Sequence, residues 1–220
     1  SSNRLAEIGN SLSNLSREAK VGYSMGLSPW TDWLLSKTFK ESSRQLLIVV
    51  GHNWYPIVTS DKCYVANSPL KEDAPTCEWR YAKALPTRLL ESPELAVLFV
   101  NLNPDFLPPG EKITGETSTT QFIEGFTGLC KSVSKSFSIK GVISWGSPVW
   151  QSLAKNLKDG IPISKSSNIG VAALEHNLAL NVGGLELKYY PFLHPSSPAF
   201  NGKNHSQRYQ EVCDELLVCM

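Results

Sequence analysis

Four short runs in this 220-residue chain bring amide, imidazole and hydroxyl side chains together with Gly or Pro. They are Gly51-His52-Asn53-Trp54-Tyr55-Pro56, Asn101-Leu102-Asn103-Pro104-Asp105-Phe106, Gly146-Ser147-Pro148 and His194-Pro195-Ser196-Ser197-Pro198. An imidazole N–H can steady an oxygen on which negative charge develops. An amide side chain donates and accepts at once, so it can read the edge of a base or orient a water. Hydroxyls and backbone N–H groups can hold a phosphate without a cation. Each run also has an ordinary structural use: Asn in turns, Gly-Ser as a helix start, His-Pro as a rigid bend. What would distinguish the two uses is whether the fold collects all four at one place.

The elements around these runs predict that it does. Each run follows an apolar segment, at 45–50 (QLLIVV), 96–100 (AVLFV), 141–145 (GVISW) and 185–192 (LELKYYPF). Continuous apolar runs of this length suit strands buried on both faces, as in a parallel sheet. Helical stretches are expected at about 75–90, 119–137, 147–157 and 204–218, and strand alternating with helix argues for an α/β fold. The expected architecture is a three-layer sandwich: a mostly parallel central sheet of about four strands flanked by helices, in a single domain spanning 1–220. Leu5, Ile8, Leu12 and Leu15 mark an amphipathic helix within an N-terminal helical extension, 1–27, and Ser28-Pro29 opens the next helix. The segment 160–184 carries no clear pattern beyond Gly183-Gly184, which could turn a hairpin. In an open α/β sheet, ligands bind beyond the carboxyl ends of the strands, which is where all four runs fall.

Composition narrows the partners. An apolar fraction of 41% with 6 Trp, 7 Tyr and 8 Phe is enough for a full core and excludes disordered or low-complexity classes. Lys+Arg 21 against Asp+Glu 20 leaves a formal charge of +1, so a polyanion would be gripped by a local patch. Cys63, Cys77, Cys130, Cys213 and Cys219 form no C-x-x-C pair, which points to free thiols in a reducing cytoplasm and away from zinc or iron–sulfur sites. No apolar run reaches membrane-span length and no signal segment opens the chain, so a cytoplasmic protein is expected, with no membrane partner. The start at Ser1 without Met suggests a processed beginning.

Taken in order, the motifs resemble those of the uracil-DNA glycosylase superfamily, most closely the family with the G-Q-D-P-Y-H motif. VVGHNWYP stands at that motif, sharing Gly51 and Tyr55, with Asn53 in the place of the catalytic Asp. Cys63-Tyr64 stands at the family's Cys-Phe, VLFVN ending at Asn101 is similar to its V-L-L-L-N, and ISWGS is similar to its L-L-W-G-S. YPFLHPSS resembles its H-P-S-P-L segment. The resemblance runs from about residue 28 to the C-terminus.

What it implies is a monofunctional glycosylase that flips a nucleotide out of DNA, breaks its glycosidic bond and leaves an abasic site. His194 would donate to the departing base, and Asn53 would position the water through its C=O. An amide cannot become a carboxylate base, so a slower reaction than that of an Asp-bearing relative is expected. Other branches of the superfamily use Asn there. Asn101 would read the base, Tyr64 would stack on it, and Tyr55 with His52 would line the pocket. Asn101 matches uracil in one orientation and cytosine in the other. Gly146, Ser147, Ser196 and Ser197 would hold phosphates, as would the Pro-flanked stretch 68–75, though an ordinary surface loop is the simpler reading there. Pro198 stands at the wedge position, with Phe200 the nearest large apolar side chain. No cofactor or metal is implied, DNA is the expected partner, and a monomer is expected.

The rim of the pocket departs from the family's pattern at Asn53, Trp54, Pro56 and the H-P-S-S-P turn, and the loop from Asn53 to Tyr64 is shorter. Two targets therefore stand side by side: uracil, or a cytosine modified as in phage genomes by hydroxymethyl or glucosyl groups. These correspond to repair and antiviral roles. The rival from another class is a non-catalytic DNA-binding module on the same fold. A hydrolase using Ser147 or Ser196 as nucleophile ranks last, because neither serine sits in a G-x-S-x-G elbow.

Overall fold

The computed structural model describes residues 29–52, 84–102, 116–160 and 168–218. Its centre is a five-stranded sheet in the order β2-β1-β3-β5-β4, with β1 Gln45–Gly51, β2 Leu95–Asn101, β3 Ser138–Trp145, β4 Ala179–Val182 and β5 Leu185–Phe192. β2, β1, β3 and β5 run parallel, and β4 alone is antiparallel. The α/β architecture expected from the alternation is the one found.

β1 and β2 are apolar along their whole length because both of their faces are covered. Leu46, Ile48, Val50, Ala96, Leu98 and Val100 share one core cluster with Phe122, Phe126 and Leu129 of α3 (Glu116–Val133) and with Val149, Trp150 and Leu153 of α4 (Ser147–Leu153). Leu47, Val49, Val97 and Phe99 face the other way, into a second cluster with Leu89 of α2 (Thr87–Leu90) and with Tyr209, Val212, Cys213 and Leu216 of α6 (Lys203–Leu217). The period-2 alternation of a strand sorts these side chains to their faces. Each such aliphatic group contributes about 1.5–3 kcal/mol by leaving water.

Both borders of the sheet are closed. α1 (Pro29–Thr38) lies along β2, with Leu34 in one cluster and Leu35 in the other. Its last residue, Thr38, uses Oγ1 to accept the outward N–H of Val97 at 2.9 Å and to donate to the Leu34 carbonyl at 2.9 Å. At the other border Leu157 bridges to Leu180 of β4. Among the described residues, no helix is long and apolar enough to cross a membrane.

The described elements differ from the expected ones in three places. The sheet has a fifth strand, β4, within the segment 160–184 that shows no clear pattern. This strand is four residues long and half-covered, and Gly183-Gly184, both at positive φ, join it to β5 as a tight hairpin. β3 begins at Ser138, ahead of the expected 141, because Leu46 pairs with Ile139 and Leu47 with Gly141, leaving Lys140 as an extra bulged residue. Within the expected helix at 75–90, Thr87–Leu90 is helical, and the part before residue 84 lies outside the described residues. The expected helices at 119–137, 147–157 and 204–218 correspond to α3, to α4 with a 3-10 turn at Ala154–Asn156, and to α6. A further short helix, α5 (Ile169–Ala172), is capped by the Asn168 side chain, which accepts from Gly170 N–H at 2.8 Å.

Arg208 is the one charged side chain among the buried polar residues described. It bonds Glu215 at 3.0 Å, and Glu215 in turn accepts from the Tyr190 hydroxyl at 3.2 Å, which ties α6 to β5. Cys130 and Cys213 are buried free thiols, and burial pushes each up to about 12, so neither is a nucleophile at neutral pH. Cys63, Cys77 and Cys219 lie outside the described residues.

Candidate active site at the carboxyl edge of the sheet

The four polar runs leave the sheet at one edge. β1 ends at Gly51, β2 at Asn101, β3 at Trp145 with Gly146 following, and β5 at Phe192, two residues before His194. Gly51 faces Asn101 in register, and Trp145 faces Phe192. The chain leaves β1 toward β2 and leaves β3 toward β5, so connections diverge from the β1–β3 pair. Such a divergence opens a crevice at the strand ends, the place where open α/β sheets take ligands.

The first wall of the crevice is Gly51 with Asn101. A Cβ at Gly51 would lie 2.7 Å from the Phe99 ring and 3.2 Å from Asn101 Oδ1. Glycine is therefore required there by close approach: the Phe99 ring from the neighbouring strand occupies the space a side chain would need. Asn101 itself is fully buried.

The second wall is Gly146 with His194. Gly146 has φ 90° and ψ 162°, a conformation essentially confined to glycine. It turns the chain out of β3 so that Gly146 N–H reaches the Phe192 carbonyl at 2.8 Å and its own carbonyl accepts from Trp150 N–H in α4 at 3.1 Å. A Cβ built on Gly146 would stand 3.5 Å from His194 Cβ, so the backbone here packs beside the base of the imidazole.

His194 opens a turn in which its carbonyl accepts from Ser197 N–H at 2.8 Å, with Pro195 setting φ at the second position. The turn brings two donors to Nδ1: the Ser196 hydroxyl at 2.6 Å and the Ser196 backbone N–H at 3.2 Å. A backbone N–H can only donate, so Nδ1 is the acceptor and the ring proton of the neutral imidazole is on Nε2. Chemically, this makes His194 a hydrogen-bond donor through Nε2.

His52, next to Gly51, is half-buried, and burial holds its imidazole below the usual histidine range. The unfolded chain therefore takes a proton on His52 at a higher pH than the folded protein does. Stability falls as pH drops through about 6.5, the unfolded value, and the loss levels off below the folded value. Urea unfolding at pH 7.5 and at pH 5.5 is expected to show a larger drop for the native protein than for His52→Phe. Equal drops would remove His52 as a source of acid sensitivity.

The remaining site residues divide. Ser147 is half-buried in the first turn of α4, behind Gly146. Ser197 is half-buried, and its carbonyl accepts from Phe200 N–H at 3.0 Å. The hydroxyl of Ser196, expected on phosphate, lies 2.6 Å from His194 Nδ1 within the Pro195 turn. Phe200, expected near the wedge, lies with its ring 5.4 Å from Tyr209 and packs on the second core cluster. The half-buried ring thus packs toward α6, and Pro198 is exposed. Asn53, Tyr55 and Tyr64, with the stretch 68–75, lie outside the described residues.

Two contributors were not legible beforehand. Phe99 reads as one more core residue in an apolar strand, and only the approach of its ring to Gly51, two positions along from its partner Val49, reveals that it underlies the site. The Ser196 contact had a signal, a hydroxyl two residues after a His-Pro bend, which is the spacing of a local side-chain turn.

No protein-family model, curated protein or solved structure matches this chain.

Proposed function

We propose that this protein is a monofunctional DNA glycosylase that excises an aberrant or modified pyrimidine and leaves an abasic site. The observation that carries the reading is the pair of Ser196 contacts on His194 Nδ1, which leaves Nε2 to donate, at the carboxyl edge of the sheet beside Gly146 and in the same row of strand ends as Asn101. Hydrolysis breaks the bond between C1′ and the base nitrogen as negative charge moves onto the base oxygens. A neutral imidazole N–H is suited to meet that charge, and a single well-placed donor of this kind is worth about 10²–10³ in rate. Water then bonds to C1′, and the base leaves with a proton. Asn53 is assigned the water from its place in the motif, and Asn101 the base edge. Tyr55 and Tyr64 are assigned to pocket lining and stacking on the same ground. Gly146, Ser147 and Ser197 are assigned to the DNA backbone, Pro198 to the wedge, and no cofactor is called for. Uracil and a hydroxymethylated or glucosylated cytosine are the two targets this pocket is proposed to take.

Base release tests the proposal directly. Uracil-containing oligonucleotides and phage DNA with hydroxymethylated or glucosylated cytosine are incubated with the protein and assayed for alkali-labile abasic sites. Cleavage of either substrate supports the reading and names the target. Silence on both, with DNA still bound, transfers the protein to the class of non-catalytic DNA-binding modules.

One observation favours a second reading. The 2.6 Å separation of Ser196 Oγ and His194 Nδ1 is also that of a hydroxyl nucleophile and its base. Against it, Nδ1 already accepts the Ser196 backbone N–H, so its lone pair is shared before any proton is taken. A fluorophosphonate probe is expected to leave Ser196 unlabelled, and a covalent adduct there would make the protein a serine hydrolase.

A further inference from the structure

We infer that the Phe99 ring sets the seat of the Asn101 amide, and through it the size of base that the site accepts. The inference rests on the glycosylase reading for its meaning in substrate choice, while the packing it invokes is tested separately.

Strand alternation places positions 49 and 51 of β1 and 99 and 101 of β2 on one face of the sheet. Val49, Phe99 and Trp145 share the core cluster on that face. Phe99 pairs with Val49, and its ring reaches forward to Gly51, where Cζ and Cε2 come within 2.7 and 3.0 Å of the point a β-carbon would occupy. The Oδ1 of Asn101 comes within 3.2 Å of the same point. One methyl-sized volume over β1 is therefore bordered by both the ring edge and the amide, and a side chain at position 51 would displace one of them. The same ring meets Trp145, with centroids 6.0 Å apart and planes at 42°. Trp145 ends β3 directly before Gly146. A ring rooted on β2 thus crosses β1 and spans from the Asn101 wall to the Gly146–His194 wall.

Phe99 is only 4% exposed, so it acts through the residues it supports and is a positioning residue. Leucine at 99 would fill less of the shared volume, letting the amide settle deeper and the walls part. A single methylene's worth of room changes discrimination by about 10- to 200-fold. Each pyrimidine edge has a purine that repeats it. Hypoxanthine repeats the carbonyl and ring N–H of uracil, and adenine repeats the amino group and ring nitrogen of cytosine. Such pairs separate size from hydrogen bonding.

The test compares full chains of the native protein, Gly51→Ala, Phe99→Leu and the double variant. Gly51→Ala is expected to lower the urea midpoint. The double variant should lie no lower than Gly51→Ala alone, because leucine vacates the space the methyl needs. In 15N-asparagine-labelled protein, the side-chain NH2 signals of Asn101 are assigned by their absence in Asn101→Ser. They are expected to move in Phe99→Leu, where the shielding of the ring is lost. On oligonucleotides, Phe99→Leu should raise release of the matching purine relative to the pyrimidine by about 10-fold, a ratio that lost stability alone would leave unchanged. Additive midpoints or unmoved Asn101 signals overturn the seat, and an unchanged ratio in a protein that releases base overturns its part in selection. Coupled midpoints and moved signals in a protein that releases no base would instead overturn the glycosylase reading and leave the seat standing.

Discussion

His194→Ala is expected to lower base release from DNA by about 10²- to 10³-fold, with DNA affinity held within about 3-fold. The asymmetry follows from where the side chain acts. In the proposed mechanism its Nε2–H interacts with charge that exists only as the bond breaks, so the ground-state complex loses little when it is removed. Ser197 and the backbone of Gly146, which are assigned to the DNA, remain in place. Single-turnover release and fluorescence anisotropy on the same oligonucleotide separate the two effects. Matching losses of release and affinity would identify His194 as a DNA contact and favour the binding-module reading.

Gly146→Ala is the second large effect, and it tests how the fold sets the site. Space is not the obstacle, since the new methyl group would stand 3.5 Å from His194 Cβ, an ordinary contact. The obstacle is the backbone: φ 90° with ψ 162° is open to glycine and strained for any residue with a Cβ. Such strain costs about 1–3 kcal/mol, a loss that a domain with a typical stability of about 5–15 kcal/mol survives. The urea midpoint is expected to fall accordingly. The strained peptide can relieve itself only by rotating, which breaks the Gly146 N–H bond to the Phe192 carbonyl and shifts the wall beside His194. Base release should therefore drop by more than about 10-fold even at temperatures where the variant is fully folded, because a displacement near 1 Å is enough to misalign the reacting groups. Full activity in a folded Gly146→Ala would show that the turn does not position His194.

Much of this architecture is written in local pattern. Strands β1 and β2 declare themselves as unbroken apolar runs because helices cover both of their faces, and burial leaves no room for polar alternation. Strand β4 does not, because four residues at a border with one open face carry too few apolar positions to stand out. The early part of β3 hides for a related reason: Ser138 is exposed and Lys140 is a bulge, so the apolar signal starts only at Gly141. For the site, the position of each polar run after a strand is legible, and with it the shared edge. The contacts that tune the site are not. Phe99 under Gly51 depends on the register of two strands far apart in the chain, and the Ser196–His194 contact depends on a turn geometry that residue types permit without requiring. Phe200 likewise packs on Tyr209, a contact that its place after the His-Pro turn does not announce.

The placement of β1 at the heart of the sheet has a kinetic consequence. Both of its neighbours arrive later in the chain: Leu46 pairs with Ala96 on one side and Ile139 on the other. Among the described strands, the β4–β5 hairpin at the far border is the pairing closed by a tight turn. During synthesis β1 therefore emerges first of the described strands, and one of its edges stays unpaired until β3 has been made. Closing parallel pairs across such long crossovers is slow, and an unpaired apolar strand is the kind of segment that recruits other chains. Folding of this protein is thus governed by how its earliest strand is sheltered, and its central β1 is both the foundation of the site and the point of greatest exposure to aggregation on the way there.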